Sequence, residues 1–419
     1  MEYILKLTLA AMSSRVFTDI FQIAGVLGAS GPLRGKDLNQ MPTIQNGYLV
    51  VEDGEIADCG LMENCNYRGE SLPHNTIVLP AWCDSHTHLV FAESRENEFV
   101  QKIKGASYAE IAAAGGGILN SAKKIEQYSE DQLFLLAWKR LEEIALLGTG
   151  AVEIKSGYGL SFDGELKMLK VIQRLKEKSN LIIKSTFLGA HAFPEEYRNN
   201  HGPYIQMLIH DLLPVIAREK LADYVDTFCE KGFFSPEEME TVCNAAAAFG
   251  LKPKLHVNQL NSIGAIQTGI RLDALSLDHL ETVTDKDISD LGNFKGISTL
   301  LPSAAFFLRM NMPPARKLIE SNAAVALATD YNPGSSPSGN MNFVVSLACI
   351  QMKMLPEEAL NAATINGAFA MEIDKQAGSV SVSKKANLIF TKPIPSINYI
   401  PYSFGQNVID KVMIKGEFI

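Results

Sequence analysis

A chain of 419 residues, 47% hydrophobic and 20% charged, has the composition of a soluble globular protein and enough apolar mass for a large core. Its 38 basic and 47 acidic side chains give a net charge of −9, and no Lys/Arg block or basic stripe with aromatics occurs, which weighs against nucleic-acid binding. The six cysteines (Cys59, Cys65, Cys83, Cys229, Cys243, Cys349) form no CxxC pair, so reduced thiols in a cytoplasmic protein are expected.

The chain opens on YILKLTLAAM, a short apolar run preceded by Glu2 rather than by the basic residues of a secretory signal, and no cleaved leader is expected. No stretch is long enough to span a bilayer. Residues 20–75 hold strand-like pieces, including YLVVEDGEIADCG with its DG turn signal. From residue 76 onward short apolar runs alternate with longer amphipathic segments. The runs are TIVLPAWCDS (76–85), GAVEIKSG (150–157), LIIKSTFLGA (181–190), ADYVDTFCE (222–230), LKPKLHVN (251–258), LDALSLDH (272–279), KGISTLLPS (295–303) and AAVALATD (323–330). The intervening segments carry helix signals. DQLFLLAWKRLEEIALLG stops at Gly148, and SPEEMETVCNAAAAFG has Ser235 as N-cap, Pro236 at the first helical position and Gly250 as terminator.

Eight strand–helix units in series point to an α/β fold, a closed parallel (β/α)8 barrel, rather than an open doubly wound sheet. The tail returns to strand-like text, KKANLIFTKPI (384–394) and DKVMIKGEFI (410–419), after a helix over 356–371. The expected organisation is a composite small β domain, sandwich-like, from residues 1–76 and 378–419, with the barrel over 77–377.

Chemistry gathers at the ends of the runs. His86 and His88 close the first, His191 the third, His256 the fifth, His279 the sixth and Asp330 the eighth. A lone histidine is most often a hydrogen-bonded core residue. Five of eight histidines at strand ends, on the rim where such barrels build their sites, are better read as functional; His74, His201 and His210 are left as surface or packing residues. His86, His88, His256 and Asp330 make three nitrogen ligands and one oxygen, suited to one divalent ion, Zn²⁺ or Fe²⁺, with a position open for water. Such an ion lowers the pKa of water to about 7. Asp330 is expected to take the proton, with His279 orienting the water from outside the ligand set.

The HTH of the first run, the later histidines and the final aspartate resemble the amidohydrolase superfamily. Longer stretches are similar to the imidazolonepropionase family within it. They are PAWCDSHTHLVFAESRENEFVQKIKGASYAEIAAAGGGILNS (80–121), VEIKSGYGL (152–160), FLGAHAFP (187–194), LDHLE (277–281), TDYNPGS (329–335) and INGAFAM (365–371). SRENEF and AAAGGGIL are far more specific than HxH. The resemblance covers about residues 45 to 419 and implies metal-dependent hydrolysis of the cyclic amide of 4-imidazolone-5-propanoate to N-formimino-L-glutamate, in histidine degradation. It implies that Arg95 grips the propanoate and that Tyr158 contacts substrate. It also implies that His191 contacts substrate, where the imidazole could polarise the carbonyl oxygen, and that Asn332, Gly334 and Ser335 contact substrate or product. Tyr108 and glycines 115–117 are expected in a lid over the rim.

One position departs from the family. Where the pattern after the fifth strand reads HADE, this chain reads HVNQ, so Gln259 replaces a glutamate. Glutamine can bond the ring amide but cannot take its proton. The expectation is that Gln259 positions the ring and that Asp330 and His279 move protons. Rival readings are another mononuclear amidohydrolase acting on a carboxylate-bearing nitrogen heterocycle, and a nucleobase-type deaminase, against which Gln259 argues. A two-metal relative with a carboxylated lysine is a third: Lys184 lies in the third run, but the fourth contains none. A non-catalytic scaffold would be marked by a lost ligand, and all four are present. A homodimer is expected, since twofold dimers are the commonest symmetric assembly.

Overall fold

The computed structural model describes residues 14–28, 31–105 and 116–419. Two sheets organise the chain. The first is built from both ends: β1 (Ser14–Ala24), β2 (Thr43–Glu52), β3 (Glu55–Leu61), β4 (Glu70–Ser71) and β5 (Ile77–Pro80) precede the barrel, while β14 (Leu388–Thr391), β15 (Ile409–Ile414) and β16 (Glu417–Phe418) follow it. They form one continuous mixed sheet in the order β16-β15-β14-β5-β1-β2-β3, with β4 beside β1. It has its own core of Phe17, Ile23, Leu49, Leu388, Phe390 and Met413, among others. The DG signal makes the β2–β3 hairpin: Glu52 pairs with Glu55, and Asp53 and Gly54 have φ of 50° and 79°, the two positive values a type I′ turn demands.

The second sheet is the barrel: β6 (Trp82–Thr87), β7 (Thr149–Lys155), β8 (Ile182–Ala190), β9 (Tyr224–Cys229), β10 (Lys252–Val257), β11 (Ser276–His279), β12 (Ile297–Leu300) and β13 (Val325–Leu327). Neighbours pair in parallel and in sequence order from β6 to β13. Each of the eight runs contributes one barrel strand, and the first contributes more. Its opening residues form β5, which pairs with β1 and β14, so the run divides between the two sheets at Ala81. A single apolar run serves two sheets because Ala81 donates to Asn387 O while Trp82 donates to Gly148 O (2.9 and 2.8 Å).

The helices follow their capping signals. Ser129 with Gln132 and Ser235 with Glu238 form capping boxes on Glu130–Leu146 and Pro236–Ala247, and Gly148 and Gly250 take positive φ after the helix ends. The single helix expected over 356–371 is corrected to two, Pro356–Ala363 and Ile365–Ala370, broken at Thr364 (φ −119°, ψ −91°). The break lets the second helix close the N-terminal end of the barrel. A Cβ on Gly367 would stand 2.2 Å from Cys83 O, and Asn366 donates to Leu33 O and Val325 O. No helix among the described residues is long and apolar enough to cross a membrane.

The barrel is nearly closed, and its seam is held by specific bonds rather than a ladder. Buried Asp84 on β6 accepts from Thr329 N and Thr329 Oγ1 just past β13 (2.9 and 2.6 Å). Asp330 N donates to His86 O and His88 N to Tyr331 O (3.0 and 2.9 Å). The seam therefore ties two histidines to the aspartate they must meet. Asp84→Ala strands a buried N–H and a hydroxyl; it is expected to destabilise the protein by about 2–4 kcal/mol in urea unfolding. Asp84→Asn, which can still accept from the amide and donate to the hydroxyl, should cost less than half of that.

Candidate active site

The strands deliver their terminal residues to one cavity of about 660 Å³ at the C-terminal rim. His86 and His88 share a face because alternate residues of a strand do. The His86 ring centroid lies 5.4 Å from that of His88, 4.4 Å from His256 and 5.7 Å from His279. His88 Nε2 and His256 Nε2 face each other at 3.3 Å. Asp330 Oδ1 is 3.5 Å from both His86 Nε2 and His88 Nε2. The expected ligands converge, and His279 joins them more closely than its assigned place outside the set: ligating atoms of His86, His256 and His279, and of His86, His88 and Asp330, form two groups each within 4.8 Å.

The site's chemistry fits a divalent cation. His86 Nδ1 donates to Asp278 (2.6 Å) and His256 Nδ1 to Asp226 (2.7 Å), which leaves both Nε2 lone pairs pointing inward. His86 Nε2 is buried with no hydrogen-bond partner. Burial first, and nearby cations second, hold His86, His88 and His256 well below the usual imidazole pKa, so they are neutral donors. Burial pushes Asp330 up to about 6 against the opposing pull of His279. Three neutral nitrogens and a carboxylate, all buried, suit a divalent metal ion.

Beneath the ligands lies a layer of charge that sequence reasoning missed. Lys155 Nζ is 2.7 Å from Glu153, 2.9 Å from Asp226 and 3.8 Å from Asp278; Lys254 Nζ is 2.9 Å from Glu153. All five side chains are fully buried. Burial alone would lower the Lys155 pKa, but Asp226, Glu153 and Asp278 outweigh it and raise it. The available signal was the parity of charges inside apolar runs: Glu153 and Lys155 alternate in β7, and Lys254 precedes His256 by two in β10. Lys184, weighed as a carboxylated ligand, is instead partly exposed and 3.7 Å from Asp223.

The cavity wall takes up most of the remaining expected residues. Arg95, Tyr158, His191 and Gln259 line it, as do Asn332, Gly334 and Ser335. Tyr108 and Gly115 lie outside the described residues, so the expected lid is not placed. Arg95 is both a cavity residue and an ion-pair partner: its Nε and Nη2 donate to Glu98 Oε2 (2.9 and 2.6 Å). Glu98 Oε1 accepts from Gly117 N at 2.9 Å. A Cβ at position 334 would stand 2.2 Å from Arg95 Nη1, so a larger residue there would push the guanidinium from its place.

Neighbouring bonds engage two of the expected residues. His191 Nδ1 donates to Gly157 O at 2.8 Å, and burial lowers its pKa to about 4; its free Nε2 is an acceptor, suited to a ring N–H and not to polarising a carbonyl oxygen. The Asn332 side chain bonds within its own loop. Its Oδ1 accepts from Gly334 N and Ser335 N (2.8 Å each), and its Nδ2 donates to Asp330 O and Ser335 Oγ (2.7 and 2.6 Å). It staples the loop, so that Ser335 Oγ can donate to Asp330 Oδ2 at 3.1 Å.

His279 Nδ1 is 3.2 Å from Glu281 Oε1. Burial opposes a charge on His279, but Glu281 and the nearby aspartates raise its pKa to about 9. Backbone strain accompanies the rim: His279, Leu280 and Asp330 have φ of 85°, 66° and 54°, a left-handed region that costs a non-glycine residue about 1–3 kcal/mol.

A barrel with this rim is that of an amidohydrolase. The amidohydrolase family model matches residues 230–419, and a triazine hydrolase variant superposes with a TM-score of 0.71 at 13% identity, over 97% of this chain and 94% of that one. Curated relatives narrow this. The imidazolonepropionase of Flavobacterium johnsoniae is 55% identical over 92% of this chain and 94% of its own length. That of Christiangramia forsetii is 52% identical over the same shares. The chain belongs to the imidazolonepropionase family.

Lys155→Met leaves three buried carboxylates facing one ammonium and removes the clamp behind two histidines. Metal affinity, measured against a competing chelator, is expected to fall about 10–100-fold. Unchanged affinity in a folded variant would show that Asp226 and Asp278 hold the imidazoles unaided.

Proposed function

We propose that this protein hydrolyses the cyclic amide of 4-imidazolone-5-propanoate, giving N-formimino-L-glutamate. The observation that carries this reading is the pairing, in one cavity, of a buried nitrogen–carboxylate ligand set with a guanidinium placed for an anionic tail. The near-full-length relatedness to imidazolonepropionases agrees with it. Gln259 argues against a deaminase, since it stands where the glutamate of such a proton shuttle would be.

His86, His88, His256 and Asp330 would hold one ion, zinc or iron(II), which when bound supplies Lewis acidity and a hydroxide-like nucleophile at neutral pH. Arg95 orients the propanoate through the Nη edge that Glu98 leaves free. His191 accepts a ring N–H at Nε2, and Gln259 donates or accepts at the ring amide, so the carbonyl carbon is presented to the attacking water. Asp330 accepts that water's proton at Oδ2, where Ser335 steadies the carboxylate. His279, with Glu281 behind it, orients the attack and returns a proton to the ring nitrogen as the C–N bond breaks. Each turnover adds one water: oxygen to the carbonyl carbon, hydrogen to the departing nitrogen. The protein is further proposed to be a cytoplasmic homodimer.

The test generates the substrate from urocanate with a urocanase and identifies the product. Formation of N-formimino-L-glutamate, abolished in His256→Ala and by chelation, is expected; no turnover by the folded, metal-loaded protein would sink the reading. Removing the proton carrier should lower kcat about 10²–10⁴-fold in His279→Ala. Gln259→Ala, which removes only a positioning contact, should lower it by about tenfold. A larger loss at Gln259 than at His279 would reverse the assignment of roles.

A further inference from the structure

The protein carries a net charge of −9, yet among the described residues its cavity is lined by four cations, Arg95, Lys102, Lys231 and Arg309, against the one carboxylate of Asp330. Such a wall raises the local concentration of anions. The four are not equivalent. Arg95 sits 2.6 Å from Glu98, and that carboxylate offsets part of its charge toward anything arriving from the cavity. The pair offers an incoming anion directed N–H bonds but reduced net attraction.

Lys102 lies two helical turns beyond Arg95 on Glu96–Ile103. Its Nζ donates to Gly334 O at 3.3 Å, the residue on which the Arg95 guanidinium rests. Both cations therefore meet at one glycine. An ammonium has three donors, and one bond to a carbonyl leaves two for a ligand. Lys102 makes no ion pair among the described residues, unlike Arg95. Burial, and then the charge of Arg95, lower its pKa, as befits a cation beside another with no full counter-ion.

We propose that Lys102 supplies the net positive charge that selects a carboxylate-bearing substrate, and that Arg95, paired with Glu98, acts as the directional fork which aligns it. This deepens the reading of the site given above and rests on it for the identity of the tail. It makes position 102 a specificity determinant: a variant lacking the charge should accept an uncharged side chain as well as a charged one.

The experiment uses the full-length, metal-loaded protein and two stable ligands, 3-(imidazol-4-yl)propanoate and its carboxamide, in direct binding measurements. They share the ring and differ in one charge. The wild-type protein is expected to prefer the acid by about tenfold or more, the range of a hydrogen bond to a charged group. Lys102→Met should cut that preference to about threefold or less while leaving carboxamide affinity unchanged, and Lys102→Arg should restore most of it. In turnover, Lys102→Met should raise KM about tenfold with kcat nearly unchanged. Equal binding of acid and amide by the wild type overturns the inference. So does an acid preference that survives in Lys102→Met, or a variant that weakens both ligands alike, which marks a structural role. The binding result is independent of turnover. An acid preference lost in Lys102→Met, in a protein that makes no N-formimino-L-glutamate, would sustain the charge assignment and refute the reaction.

Discussion

The Lys155 ammonium is the constraint on which the site depends. It draws together carboxylates from three different strands, Glu153 of β7, Asp226 of β9 and Asp278 of β11. Two of these hold a histidine each by its Nδ1. Burying bare ions is expensive, and a buried pair seldom stabilises a fold relative to an apolar core. Here the network does something an apolar core could not: it sets the tautomer and direction of two imidazoles from below. Lys254 completes the balance at Glu153, and the backbone oxygen of Ala370 takes one of its donors, which links the layer to the helix closing the barrel's base.

A second set of contacts fixes the rim from above. Asn332 bonds within its own loop, and through Ser335 it controls one oxygen of Asp330. The same loop presents Gly334, whose missing side chain leaves room for the Arg95 guanidinium. The rim carboxylate and the Arg95 guanidinium thus share a few residues after β13. The left-handed backbone at His279 and Asp330 falls on two residue types that adopt it more readily than most non-glycine residues.

Much of the architecture was legible in the sequence. Eight β-branched runs separated by capped amphipathic segments specify eight strands and their helices, because strand and helix periods are local properties. The rim histidines and Asp330 were legible for a related reason: a polar residue at the end of an apolar strand has one place to go in a parallel barrel. The DG hairpin and the Ser235 and Ser129 capping boxes are equally local. The domain crossing at Ala81 was not, because β5 and β6 form one unbroken apolar run, and only their partners (β14 on one side, β7 on the other) separate them.

The chain alone carried the barrel and the gathering of histidines and Asp330 at its rim, since each resides in a residue type at a strand-relative position; the readings of Arg95 and of Gln259 came from the family resemblance. Tertiary structure decided what those residues are free to do. Only packing shows that Lys155 braces the aspartates behind two histidines, that His191 has already given its proton donor to Gly157, that Asn332 bonds within its loop and that Glu98 pairs with Arg95. Hydrogen-bonding capacity and charge are spent on neighbours brought together in space, and pairing across strands is invisible in a linear pattern.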